Sequence, residues 1–273
     1  MANKALVLPS AGAPLALQTR PIPTPLPNQV VVKNHALAIN PLDTGMQSHS
    51  FMVRSFPCVL GSDVSGTIHN VGSAITKFAP GDRVAGFACM VQTGELDQGA
   101  FQEYVLLFQN AVTRLPVQVS FAQGAALPMA VATAGVGLFV RMGFPWGEAF
   151  AKQQGVILIT GASSSVGIAA VQICRILGFT VFATAGAKNH GYLEGMGASR
   201  VFDYKTRIRR IRSSMLRRAL VESGIALRRS RGMEMRRWPQ RSFLLSLMGE
   251  AGRRNCVSVS HGGNQSPGLK GLR

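Results

Sequence analysis

Short apolar runs broken by glycine, proline and aspartate fill the first 120 residues. Lys4-Ala-Leu-Val-Leu8 reads as a strand closed by Pro9 and the turn residues after it. Pro21, Pro23, Pro25 and Pro27 make an extended link, because alternate prolines remove backbone donors and fix φ. Gln29–His35 resumes as a strand around the β-branched Val30, Val31 and Val32. Gly61–Gly66, Thr67–Gly72, Pro80–Gly86 and Gly99–Val105 keep the same rhythm, which predicts a barrel-like all-β unit. After residue 120 the pattern lengthens. Phe121 opens a helical region running to about Phe139. Its uncharged part, Gly124–Val140, is Ala/Gly-rich and contains Pro128; it is read as a buried segment, since a membrane helix needs about 20 strongly apolar residues. Gly155–Thr160 is a continuous apolar run, as in a parallel strand buried on both faces. Val166–Leu177 follows as a helix ended by Gly178, then Thr180–Thr184 as a second strand. This is one βαβ unit of the dinucleotide-binding kind.

Charge divides the chain again. Of 273 residues, 29 are Lys or Arg and 12 are Asp or Glu, a net charge of +17. Residues 1–205 hold 13 cations and 9 anions, whereas residues 206–273 hold 16 and 3, and 15 of those 16 are Arg. The expected organisation is therefore three parts: 1–120, 121–205 and a basic irregular tail, 206–273. A basic arm suits nucleic-acid phosphates or a membrane surface. The preferred reading is a disordered tail or one translated out of frame, because Arg-rich, Lys-poor, Asp-free sequence is what GC-rich DNA yields in a shifted frame. Only Trp238 and Phe243 are aromatic there, so no nucleic-acid partner is expected, and no membrane. Cys58, Cys89, Cys174 and Cys256 are too dispersed for a zinc knuckle or a redox pair, which fits a reduced, cytoplasmic protein. Ala5–Leu8 is too short for a signal peptide.

Five segments together carry a resemblance: Asn40-Pro-Leu-Asp43, Gly61-Ser-Asp-Val-Ser-Gly66, Val71-Gly72, Phe78-Ala-Pro-Gly-Asp-Arg-Val84 and Gly99-Ala-Phe-Gln-Glu-Tyr104. In this order and spacing the chain resembles the GroES-like catalytic domain of medium-chain dehydrogenases/reductases. The flavour is that of the zinc-free branch: quinone oxidoreductases, enoyl reductases and the fungal trans-acting enoyl reductases that serve polyketide synthases. Zinc-dependent members place a Cys near Ala38–Asp43 and a Gly-His-Glu where this chain has Gly61-Ser-Asp63. Lacking those ligands, the chain is expected to be metal-free, with His35, His49 and His69 as surface or packing residues. Asn40–Asp43 alone would make an Asx-type turn. The resemblance instead puts Leu42, Asp43, Thr44 and Gly45 along the cofactor cleft, and leaves Asp63 a structural acceptor of backbone hydrogen bonds in its turn.

The helical region resembles one that presents small residues to substrate and nicotinamide, which implies Ala130, Thr133 and Ala134 as substrate-facing; tight helix packing is the equal alternative. Ser163, Ser164, Ser165 and Val166 form the turn expected to cradle a pyrophosphate at a helix N-terminus, against the plainer reading of a packing corner. NAD sites end the second strand in a carboxylate that grips the ribose. Here none is present, and Lys188 favours the 2′-phosphate of NADPH. Gly186, Ala187, Lys188 and Asn189 match a Ser-Pro-Lys-Asn loop with Gly in place of Ser. Tyr204 is either near the adenosine end or an ordinary aromatic of the third strand. The fold class expected is thus α/β plus β: a GroES-like barrel followed by a partial Rossmann βαβ unit. The implied activity is NADPH-dependent reduction of an activated C=C, in a quinone-like enone or in an enoyl thioester carried by a polyketide synthase. No catalytic residue is assigned. The rival is a truncated, inactive relative or interaction module, since the resemblance stops after Lys205 and half a nucleotide fold leaves open sheet edges; little turnover is expected from the chain alone.

Overall fold

Val30, Val31 and Val32 are fully buried in β3 (Gln29–Ala38), an inner strand of the larger sheet. A computed structural model describes residues 2–144 and 155–205. The expectations for residues 206–273, Cys256 included, lie outside the described residues. β3 pairs antiparallel with β7 (Tyr104–Phe108) on one side and β5 (Asp63–Val71) on the other; β6 (Arg83–Phe87) and β8 (Val112–Arg114) complete five strands in the order β7-β3-β5-β6-β8. The β3–β5 register shifts at Val31/Val32 and at Asn34/Ala36, and such bulges bend and twist a sheet toward closure. A second sheet has the order β2-β1-β4, from β1 (Asn3–Leu8), β2 (Ala16–Arg20) and β4 (Cys58–Val59). The core between them includes Val7, Leu8, Met46, Val59, Leu60, Val64 and Leu107.

Two elements differ from expectation. Asn40–Asp43 is the entry to a nine-residue helix, α1 (Pro41–His49), rather than a free turn; a four-residue helix, α2 (Met90–Thr93), comes after β6. Pro41 takes the first helical position, where its missing N–H costs nothing, and Leu42 and Met46 bury one short apolar edge. β2 has no sequence signal, because it pairs only with β1 and its residues are exposed or half-buried.

The chain divides into two compact units between Ala132 and Thr133, further along than the boundary at residue 120. The physical reason is α3 (Phe121–Ala125), which packs on β3, β5 and β6. Phe121 sits with His35 stacked at 4.6 Å and the Arg83 guanidinium 4.4 Å from its ring centre. Helix α4 (Pro128–Gly135) follows, then a π-helical stretch, Val136–Arg141. By length and composition alone, Phe121–Arg141 meets the requirement for crossing a membrane, yet only 33% of its most apolar window is buried. The expected buried segment is thus realised in a third of its length: Leu127, Val131, Val136 and Val140 are exposed.

The second unit contains a parallel sheet of order β11-β10-β9, from β9 (Val156–Ile159), β10 (Thr180–Ala185) and β11 (Arg200–Asp203). Helix α5 (Ser165–Ile176) connects β9 to β10, and α6 (His190–Gly195) precedes β11. In β9 Ile157 and Ile159 are buried but Val156 and Leu158 only half so, which corrects the expectation of burial on both faces. Among the described residues β9 is an edge strand.

Candidate functional site

In the first unit, two carboxyls are buried side by side on a network built by Asn40. Asn40 donates from its backbone N–H to Asp43 Oδ2 at 2.7 Å and from Nδ2 to Asp63 Oδ2 at 2.7 Å. Asp63 Oδ1 accepts the N–H of Met129 at 2.6 Å. Asp63 therefore satisfies an orphan donor in the first turn of α4, rather than a group in its own turn as expected. Asp43 is 3% exposed and Asp63 2%. Burial pushes the Asp43 carboxyl up to about 6, with the neighbouring Asp63 charge adding to the rise and the Asn40 N–H opposing it. Burial raises Asp63 too, against the hydrogen bonds from Asn40 and Met129. Asp43 Oδ1 is buried without a hydrogen-bond partner. Of the four α1 residues singled out from sequence, Leu42 and Asp43 are buried, Gly45 is half-buried and Thr44 is exposed. Asn40, which ties the pair together, was present in the motif but given no role.

Ala130, Thr133 and Ala134 fall together on α4, Ala130 and Ala134 buried and Thr133 half-buried.

In the second unit, the strand–turn–helix expected for a pyrophosphate is formed. The Ser164 hydroxyl accepts the N–H of Gly167 at 3.1 Å and donates to the carbonyl of Gly161 at 2.9 Å. Ser164 is thus the N-cap of α5 and its hydroxyl is spent inside the turn; Ser163 and Ser165 are exposed at its surface, and Val166 is half-buried. Gly161 has φ +65°, with nothing within 4 Å of where a Cβ would stand, so the turn's mouth is open. Gly167 is tight: a Cβ there would lie 2.5 Å from the Gly161 carbonyl oxygen. An anion at this place meets the first N–H groups of a twelve-residue helix and no bulky side chain. The residues present fit a dinucleotide pyrophosphate.

At the end of β10, Gly186 leads into a 3-10 turn over Ala187–Asn189, closed by Asn189 N–H to Gly186 O at 2.9 Å. Ala187 and Lys188 are exposed. The Tyr204 hydroxyl lies 3.7 Å from where a Gly186 Cβ would stand, so Tyr204 and the loop share one corner. β10 itself ends without a carboxylate, but Asp203 lies beside Ala185 in the parallel register. That placement was invisible in the sequence, because it depends on which strand neighbours β10.

Other chemistry is thin. Cys58, Cys89 and Cys174 are free, and burial raises all three thiols, Cys174 to about 12, which leaves no thiolate nucleophile among them. Among the described residues no three of His, Cys, Asp and Glu gather closely enough to hold a metal ion. His35 and His69 pack on Phe121 and Tyr104.

Residues 26–117 match the alcohol dehydrogenase GroES-like domain. The trans-enoyl reductase tazE of Aspergillus terreus is 42% identical over 209 residues, covering 74% of this chain and 69% of that protein. The dehydrogenase pigH of Monascus ruber is 40% identical over 214 residues, covering 75% of this chain and 58% of that protein. This chain thus spans somewhat over half to about two thirds of the length of these relatives. Among solved structures, the quinone oxidoreductase of Coxiella burnetii superposes with a TM-score of 0.60 at 27% identity, covering 78% of this chain and 66% of that one. The GroES-like sheet, the βαβ unit that follows it in sequence and these relatives agree: the chain belongs to the medium-chain dehydrogenase/reductase superfamily, alongside fungal trans-enoyl reductases and quinone oxidoreductases.

Proposed function

We propose that the chain serves an NADPH-dependent reduction of an activated C=C, in the cytoplasm, on an enoyl thioester presented by a carrier of the polyketide-synthase kind. The observation that carries this reading is the turn between β9 and α5, open at Gly161 and backed by the N-terminus of α5. The enoyl substrate is supported by the trans-enoyl reductase among the relatives; a quinone-type enone is the runner-up, supported by the quinone oxidoreductase likeness. A nicotinamide held here would supply a hydride to the β-carbon, and the α-carbon would take a proton from water. This chain's residues bind and orient: the N–H groups of Ser165 and Val166 face the pyrophosphate, and Lys188 pairs with the 2′-phosphate. Ala130, Thr133 and Ala134 form a small-residue wall for a flat conjugated substrate.

Titration of the chain with NADPH and NADH tests the cofactor half. NADPH is expected to bind more tightly, and Lys188→Ala to weaken NADPH about tenfold with little change in NADH, the scale of one charge-assisted contact. Equal affinity for both cofactors before mutation would sink the NADPH assignment. Oxidation of NADPH dependent on an added enoyl thioester tests the substrate half.

A further inference from the structure

We propose that Phe51 and Met52 form an apolar lip that takes the acyl group of the enoyl thioester beyond its double bond, and so select long, apolar substrates over short ones. This rests on the enoyl reading above and deepens it. Helix α1 stops at Ser50, whose left-handed backbone (φ +54°) is an ordinary helix end, its N–H reaching back to Met46 O at 3.0 Å. The next left-handed residue has no such reason. Val53 donates its N–H to Ser50 O at 3.2 Å, and Met52 is the third residue of that turn, at φ +60°. Glycine is the usual occupant of such a place. Among the described residues, Ser50 and Met52 are the only non-glycines in this region of φ. The turn nevertheless holds a methionine beside a phenylalanine and leaves both in water, Phe51 42% and Met52 37% exposed. A strained backbone and exposed apolar side chains each cost stability, and both fall at one spot. The phenylalanine supplies rigid apolar area, and the methionine a soft side chain that adapts to an alkyl group.

The lip is tied to the small-residue wall through α1, within the first unit. Phe51 donates its N–H to Gly45 O at 3.3 Å, and a Cβ on Gly45 would meet only Phe51 Cβ, at 4.0 Å, among atoms outside the helix. The side of α1 next to the lip is therefore bare. At the other end of α1, Asn40 is joined through Asp63 to the N–H of Met129, the neighbour of Ala130 in the wall. Met129 packs in one core with Leu42 and Met46, and Val53 lies against the same core. Wall and lip thus stand at the two ends of a nine-residue helix, about 13 Å apart along its axis. An extended acyl group with its double bond at Ala130 spans that length with roughly ten carbons. A four-carbon group falls short.

The test uses the full chain and measures, by calorimetry, the affinities of trans-2-enoyl thioesters of N-acetylcysteamine with four, six, eight and ten carbons, with and without NADP+. These probes carry no phosphate and no carrier protein, so only the acyl group varies, and without a hydride donor none is consumed. Wild type is expected to bind the ten-carbon thioester about thirtyfold more tightly than the four-carbon one, the gain coming with the last carbons. Phe51→Ser and Met52→Gly should each cut that ratio about fivefold and leave the four-carbon affinity unchanged. Met52→Gly should also melt within about 2 °C of wild type, since relief at the left-handed position offsets the glycine's greater freedom in the unfolded chain. A wild type that binds all lengths alike, or variants that keep the full preference, would overturn the lip while the enoyl reading stands. Equal losses for short and long acyl groups in both variants would make the turn a mere support of the site and overturn it too. Failure to bind any of the thioesters under either condition removes the enoyl reading and the lip with it.

Discussion

The Asp43 carboxyl holds its charge at a cost. Its folded value of about 6 lies above the ordinary 3.8, so the folded state binds the proton more tightly than the unfolded chain. The stabilisation from protonation is complete below pH 3.8 and is lost as pH rises through 6, a span of about 3 kcal/mol. Asp43→Asn keeps an oxygen for the Asn40 N–H and removes the buried charge. The variant is expected to match wild type near pH 4 and to exceed it by up to about 3 kcal/mol at pH 8 in urea unfolding. A gap that does not widen with pH would refute the assignment. Asp63 has the same sign of shift, so some slope remains in the variant. The motif around Asn40 was readable as a family mark and as a turn. That Asn40 joins two carboxyls 20 residues apart could not be read, because the Nδ2 contact to Asp63 exists only once β5 has been placed beside α1.

Helix α5 was the most legible element: Ser164 stands before the apolar run and Gly178, at φ +91°, stops it. Its two small residues divide the work of joining helix to strand. Ser164→Ala loses the cap and is expected to cost about 1 kcal/mol in urea unfolding. Gly167→Ala should cost more, about 2 kcal/mol, because its Cβ meets backbone, the Gly161 carbonyl at 2.5 Å and Ala162 Cα at 2.7 Å, which cannot swing aside. Equal costs, or a milder effect at Gly167, would show that the turn relaxes freely. By contrast α1 was illegible as a helix. Gly45 interrupts it, and Leu42 and Met46 are its only buried apolar residues, too few to show a period. β2 failed for the opposite reason: an edge strand with little burial shows no alternation to read.

On the scale of the whole molecule, the first unit draws α3 and the start of α4 to itself from beyond the β region. Phe121 is held between His35 and Arg83, and Met129 reaches 66 residues back to Asp63. A division at residue 120 looked natural, since the strand rhythm ends there, yet it cuts every one of these contacts. The consequence is a rule for dissecting the protein into expressible pieces. A fragment ending at Ala132 carries its own partners for Asp63 and Arg83 and is expected to unfold cooperatively. A fragment ending at Ser120 bares the sheet surface under α3 and leaves a buried carboxylate short of a donor; it should melt about 5 °C or more lower, or fail to give a cooperative transition. Indistinguishable melting of the two by circular dichroism would mean that the smallest autonomous piece is the shorter one, and that α3 and α4 are passengers on it.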